Sequence, residues 1–200
     1  MKRLAETWMP TQWGTFKMIA YANSNEEMPH LALTNGDLSK LEAPLVRIHS
    51  ECMTGDVFGS VRCDCGEQLQ EAMKAVSIQG GAVLYLRQEG RGIGLVNKLH
   101  AYNLQDQGFN TADANKELGF EVDSREFDIA INMLKDLGVN KIRLMTNNPE
   151  KLHAFDDAAI ELAERVPLII PARKENAFYL DTKRQVMGHL LNFPTTHTGS

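Results

Sequence analysis

Pro44-Leu45-Val46-Arg47-Ile48-His49 is a short apolar strand, and behind it Leu69, Ala72, Met73 and Val76 recur at helical spacing. Gly80-Gly81 ends that helix, and Ala82-Val83-Leu84-Tyr85-Leu86 follows as a second apolar strand. Upstream, residues 15–21 and 30–34 alternate or run apolar, and Asn35-Gly36-Asp37 has the composition of a hairpin-type turn. Downstream, residues 91–106 read as a helix with Ile93, Val96, Leu99 and Tyr102 on one face, stopped near Gly108.

Asp123-Ser124-Arg125-Glu126 resembles a capped helix start, and Phe127, Ala130, Ile131, Leu134 and Leu137 then form an apolar stripe ended by Gly138. Residues 141–145 read as a strand and Thr146-Asn147-Asn148-Pro149 as a turn, with Pro149 suited to the first position of a helix. Residues 160–170 return as a strand and 182–191 close as a short helix. Strands first, then alternating strands and helices, predict an α+β (mixed α/β) fold with N-terminal antiparallel strands. With no linker to split it, residues 1–193 are expected to form a single compact domain and 194–200 a disordered polar tail.

Composition narrows the function. At 200 residues and 43% hydrophobic, the chain can bury a core without disulfides. No apolar run approaches the roughly 20 residues of a membrane helix, and no apolar segment or cleavage site follows Lys2-Arg3, so a cytoplasmic protein without a membrane role is expected. A net charge of −5 argues against a general nucleic-acid binder, which needs a dominant basic field, but not against a small polyanionic substrate.

Cys52, Cys63 and Cys65 lie within 14 residues in the spacing C-x10-C-x-C. In a cytoplasmic chain such crowding points to metal or catalysis before disulfides, and thiolate softness favours Zn²⁺. Three ligands leave a position for water, the mark of a catalytic rather than a structural zinc. Two other readings stand beside it: a closed structural site with His49 as fourth ligand, and three buried cysteines without metal.

Arg87-Gln88-Glu89-Gly90-Arg91-Gly92-Ile93-Gly94 follows a strand and opens a helix, so its backbone N–H groups and arginines can meet a phosphate; an ordinary turn with solvated charges reads equally well. Arg125 at a helix start, where the macrodipole disfavours a cation, would be explained by a bound anion. Thr146 and Lys151 bring a hydroxyl and an ammonium to another helix start, whereas Lys98, His100 and His153 read as surface residues.

Taken together, His49-Ser50-Glu51-Cys52-x-Thr54-Gly55-Asp56, Arg62-Cys63-Asp64-Cys65-Gly66, Arg87-Gln88-Glu89-Gly90-Arg91-x-Ile93-Gly94-Leu95 and Leu104-Gln105-Asp106-Gln107-Gly108 resemble the GTP cyclohydrolase II family of riboflavin biosynthesis. Asp123-x-Arg125-x-Phe127, Thr146-Asn147-Asn148-Pro149-x-Lys151 and Glu164-Arg165-Val166-Pro167-Leu168 extend the resemblance along nearly the whole chain in order. It implies one zinc held by Cys52, Cys63 and Cys65, Asp123 as proton acceptor, Arg125 as nucleophile at the α-phosphate and Tyr102 near the reacting base.

GTP contacts are implied for Arg47 to Glu51, Gln68, Glu89, Gly90, Arg91, Thr111, Thr146 and Lys151. The products implied are 2,5-diamino-6-ribosylamino-4(3H)-pyrimidinone 5′-phosphate, formate and pyrophosphate, with Mg²⁺ accompanying the triphosphate and a homodimer as the assembly. Some relatives carry a second domain that makes dihydroxybutanone phosphate, for which this length has no room. Because arginine normally stays protonated, an electrostatic clamp with water as attacker is the alternative role for Arg125. A zinc-stabilised GTP-binding regulatory module without turnover is the rival function, and Tyr102, Asp123 and Arg125 together argue against it.

Overall fold

A computed structural model of the chain describes residues 1–24, 28–121, 123, 125–185 and 187–191. Its centre is β4 (Leu45–Ser50), whose alternate residues serve two different cores. Val46 and Ile48 pack with Ala130, Ile131, Met133 and Leu134 of α5 (Asp128–Asp136). Leu45 packs on the other face with Ala72, Met73 and Val76 of α2 (Cys65–Gln79). The period of two along the strand thus places one helix on each side of the sheet. Each fully buried side chain such as Ile48 or Leu144 contributes about 1.5–3 kcal/mol.

Around β4 the described residues form one seven-stranded mixed sheet in the order β1-β2-β3-β5-β4-β6-β7. β1 (Lys2–Thr11), β2 (Gly14–Ala22) and β3 (His30–Asn35) run antiparallel, and β3 meets β5 (Gly81–Leu86) antiparallel. β5, β4, β6 (Lys141–Met145) and β7 (Glu161–Val166) are parallel. α2 leads from β4 to β5 on one face, whereas α5 leads back past β4 to β6 on the other. Chain direction across the sheet therefore reverses at β4, and the loops leaving β4 and β6 open a crevice at the carboxyl ends of the strands.

The mixed α/β class and the order of elements agree with the sequence reading; several details do not. β1 is exposed along most of its length, so it carries no apolar alternation to reveal it. Asn35-Gly36-Asp37 is not a hairpin turn, because β5 lies between β3 and β4. Gly36 turns the chain at φ +80°, and Asp37 caps a short 3-10 turn at Leu38–Lys40 by accepting from the Ser39 N–H at 3.2 Å.

The helix expected over 91–106 is a 3-10 turn at Glu89–Gly92 followed by α3 (Gly94–Asp106), the break falling where Gly90 and Arg91 both take φ 62°. Its expected apolar face is also corrected: Val96 is 67% and Leu99 46% exposed, while Ala101 is buried. Asp123 caps no helix, since α5 starts at Asp128 behind Phe127 and Asp123 turns to Arg125 instead. The strand expected over 160–170 ends at Val166, before Pro167, which cannot donate to the ladder. The closing helix is α7 (Ala177–Gln185), set earlier than the 182–191 expected. α1 (Met53–Asp56), α4 (Thr111–Glu117) and α6 (Pro149–His153) complete the helices among the described residues. The tail expected at 194–200 lies outside the described residues.

Candidate functional site

The crevice is a cleft enclosing about 1150 Å³, open solvent at its mouth included. β4 delivers Arg47 and His49 to it and leads into Glu51, β5 leads into Glu89, Gly90 and Arg91, and β6 leads into Thr146 and Lys151. Tyr102 of α3, Thr111 of α4, Gln68 of α2, Arg125 and the three cysteines also line it. Of the residues singled out by sequence, Asp123, Arg87 and, within the run from Arg47 to Glu51, Ile48 are not at the wall; Asp123 stands behind Arg125, Arg87 behind Glu51, and Ile48 is buried in the core.

The cysteines converge. Their sulfurs lie within 4.8 Å of one another, with Cys52 and Cys63 Sγ 3.6 Å apart, and they form the one such cluster of potential metal ligands among the described residues. The loop is shaped for this approach. A Cβ on Gly66 would stand 2.3 Å from the Gly55 carbonyl oxygen, and one on Gly55 would stand 3.0 Å from the Cys63 sulfur and 3.2 Å from the Cys52 sulfur. Hydrogen bonds from the Cys63 and Cys65 thiols, with Lys98 beside it, hold the Cys52 thiol far below the usual range. That thiolate in turn pushes Cys63 up to about 11 and Cys65 upward as well. Crowded sulfurs sharing negative charge fit a soft divalent cation such as Zn²⁺. His49 stands outside this group: its Nε2 lies 3.1 Å from both Asp56 carboxylate oxygens, so the closed site with His49 as fourth ligand is not what forms.

Asp56 is a hub for the loop, accepting from the Cys52 backbone N–H at 2.9 Å and the Tyr85 hydroxyl at 2.9 Å. The expectation that Lys98 is a surface residue is overturned. Its ammonium donates to Cys52 Sγ at 3.0 Å, Thr54 Oγ1 at 3.0 Å and Glu89 Oε1 at 2.8 Å. Burial alone would discharge Lys98, but Cys52 and Glu89 hold it firmly protonated. Tyr102 hydroxyl sits 3.3 Å from Thr54 Oγ1, beside the sulfurs, and burial raises its pKa.

The rest of the wall is cationic. Arg47 donates to the Met145 carbonyl at 3.0 Å and to Gln68 Oε1 at 2.5 Å, and burial lowers its pKa to about 10. Gln68 passes the contact on to Asp64 Oδ2 at 2.5 Å, which pairs with Lys183 at 2.9 Å. Lys151, buried, donates to the Ile48 carbonyl at 2.8 Å; burial and then the neighbouring Arg47, Arg125 and Lys183 push its pKa well down. Arg91 sits in the left-handed region between glycines, with Nη1 and Nη2 buried and unpartnered among the described residues.

Arg125 grips Asp123 through Nε at 2.8 Å, its backbone N–H at 3.2 Å and Nη2. Burial would raise the Asp123 carboxyl, but these bonds hold it below the usual range. Arg87 is committed to Glu51 at 2.9 Å rather than to the glycine-rich turn. Thr146 Oγ1 accepts from the Asn148 N–H at 3.1 Å, and Thr111 Oγ1 accepts weakly from Gln105 at 3.5 Å.

Sequence reasoning missed Lys98, Asp64, Tyr179, Lys183 and His189, the last three from the chain around α7, which closes one side of the cleft. The acidic residue between two cysteines was a usable signal for a buried cationic partner; nothing local marks the others.

A family model described as GTP cyclohydrolase II matches residues 2–167. A riboflavin biosynthesis protein RibBA from Bacillus cereus is 54% identical over 191 residues, 95% of this chain and 48% of its own. Another RibBA, from Bacillus cytotoxicus, is 53% identical over 188 residues, 94% of this chain and 47% of its own. The chain thus spans about half the length of the curated relatives it matches. A solved two-domain 3,4-dihydroxy-2-butanone 4-phosphate synthase from A. baumannii, RibBX, aligns over 80% of this chain and 39% of its own with a TM-score of 0.46 and 18% identity, a likeness too distant to carry an argument. A match over most of the chain, joined to relatives at more than half identity, places this chain in the GTP cyclohydrolase II family.

Proposed function

We propose that this chain hydrolyses GTP to 2,5-diamino-6-ribosylamino-4(3H)-pyrimidinone 5′-phosphate, formate and pyrophosphate, the opening step of riboflavin biosynthesis. One observation carries the reading: a three-thiol cluster and a nest of arginines and lysines face the same cleft, so one ligand can present a ring carbon to the first and a polyphosphate to the second. Cys52, Cys63 and Cys65 would hold one Zn²⁺, which when bound supplies Lewis-acid activation of water for attack on guanine C8.

The chain's own residues account for the remaining work. Lys98 and Thr54 fix the Cys52 side of the cluster, and the Tyr102 hydroxyl, 3.3 Å from Thr54 Oγ1, is the group assigned to move a proton as the imidazole ring opens. Arg91, Arg47 and Lys151 neutralise the triphosphate, with Mg²⁺ accompanying it; burial and the neighbouring cations lower the Lys151 pKa, and an entering polyanion opposes that shift. Arg125, tied to Asp123 through three N–H groups, acts as an electrostatic clamp on the α-phosphate with water as attacker. The Gln68 amide, braced between Arg47 and Asp64, reads the guanine edge. The homodimer rests on the family resemblance, and the cytoplasmic location on the sequence expectation alone.

The test is product analysis after incubation with GTP, Zn²⁺ and Mg²⁺. Formate and pyrophosphate are expected from GTP and not from ATP. Cys63→Ser is expected to abolish formate release while GTP binding survives. Tight GTP binding by the parent with no formate would instead mark a regulatory module.

A further inference from the structure

Chain beyond residue 167, outside the matched family region, supplies one wall of the cleft through Tyr179, Lys183, Met187, His189 and Leu191. The wall is built in. Lys183 donates to Asp64 at 2.9 Å and lies 4.3 Å from the Tyr179 ring centre. Two backbone bonds hold the segment after α7: His189 N–H to the Lys183 carbonyl at 3.0 Å, and Leu190 N–H to the Asn147 carbonyl at 2.8 Å. These bonds set the His189 ring at the cleft, where its Nε2 is buried and has no hydrogen-bond partner among the described residues.

A buried ring nitrogen without a partner costs free energy unless something else satisfies it. We propose that His189 is a substrate-contacting residue of the polyphosphate subsite, its Nε2–H donating to a phosphate oxygen of the bound nucleotide. The ring lines the same cleft as cations from four elements: Lys183 of α7, Arg125 ahead of α5, Arg91 of the glycine-rich turn and Lys151 of α6. Burial and these four charges push its pKa down to about 3, so in the empty cleft the imidazole is neutral. A partner that satisfied it while relieving the four cations would be a polyanion with several oxygens, and a triphosphate is one. Only the identity of that polyanion as GTP rests on the function proposed above.

Calorimetric titration of the parent, His189→Ala and His189→Gln with inorganic tripolyphosphate and with guanosine tests the assignment. Loss of one hydrogen bond to a charged group predicts about a tenfold weaker affinity of His189→Ala for tripolyphosphate, with guanosine binding unchanged. Glutamine, whose amide N–H can take the place of Nε2–H, is expected to recover part of the loss. Unchanged tripolyphosphate binding in both variants, equal weakening of both ligands, or no tripolyphosphate binding by the parent would each overturn the proposal. The formate assay separates this from the enzyme assignment: His189-dependent tripolyphosphate binding without formate release would sink that assignment alone.

Discussion

The Lys98 ammonium lies 3.0 Å from the Cys52 sulfur and 2.8 Å from the Glu89 carboxylate, joining the thiol loop after β4 to the glycine-rich turn after β5. Glu89 completes the join by accepting from the Met53 backbone N–H at 2.6 Å and the Gly90 N–H at 2.9 Å. Two loops that would otherwise move separately are thereby fixed as one wall, and the sulfur most easily ionised is the one that faces the ammonium.

Removing that ammonium has two expected consequences. Lys98→Met leaves Glu89, only 8% exposed, as a buried charge without its cation, which costs about 3 kcal/mol of stability in urea unfolding. The variant is also expected to bind Zn²⁺ at least several-fold more weakly at neutral pH in competition with a chelator, because its Cys52 thiol must give up a proton without a neighbouring positive charge. Adding Glu89→Gln is expected to restore most of the stability and little of the zinc affinity. A single variant as stable as the parent would show that Lys98 is not an anchor.

Gly66→Ala tests the cradle under the sulfurs. Its new methyl group would meet the Gly55 carbonyl at 2.3 Å, and the obstacle is backbone that has no flexible end to swing away. The loop must open, pulling Cys65 away from Cys52 and Cys63. Zinc per purified chain is expected to fall well below one, as measured by metal analysis, while far-ultraviolet circular dichroism stays close to that of the parent. Full metal content would show that the loop tolerates the spread.

Acid should weaken the ligand-free fold earlier than its carboxylates alone would dictate. His189 is held at about 3 against an ordinary 6.5, and burial lowers His49 as well. Between these limits the unfolded chain binds a proton at His189 while the folded chain does not, and the lowered His49 acts in the same direction, so stability rises with pH and is lost as pH falls below about 6.5. Each such histidine contributes a slope of at most about 1.4 kcal/mol per pH unit. Urea midpoints between pH 7 and 5 should fall for the parent and fall less steeply for His189→Gln; parallel curves would mean that His189 titrates normally.

The sequence spells out what is local. β4, α2, β5 and the stripe of α5 announce themselves because each buries a regular face, and the converging cysteines follow from spacing and a turn at Gly66. β1, wet on both sides, has no such signature, and a turn rich in Asn and Gly imitates a hairpin where the true neighbour of β3 is β5. The site was less legible where it depends on distant pairs. Lys98 reaches Cys52 across 46 residues and Lys183 reaches Asp64 across 119, and neither lysine differs in its local sequence from a solvated one. Val96 and Leu99 misled in the opposite sense, since α3 turns its polar Lys98 and Tyr102 to the cleft and leaves those apolar residues outside.

Arg125 offers the sharpest choice of mechanism. Its guanidinium gives Nε–H and Nη2–H to the two oxygens of Asp123, the fork-to-fork pairing of a charged arginine, and the carboxylate is held ionised by that pairing. A guanidinium so engaged has no lone pair to attack phosphorus, but its remaining Nη1, 3.5 Å from Ser50 Oγ, is free to turn toward a phosphate oxygen. As a clamp it can be replaced by another cation at a cost in geometry. Arg125→Lys is therefore expected to release pyrophosphate from GTP about 10–100-fold more slowly than the parent rather than not at all, the range expected when a charge remains but its bidentate bonding is lost. Arg125→Gln, lacking the charge, should be slower still. Acid quenching of the parent during turnover with GTP labelled at the α-phosphate should trap no label on protein. Stoichiometric label on the parent, absent from Arg125→Lys together with all pyrophosphate release, would instead make Arg125 the nucleophile.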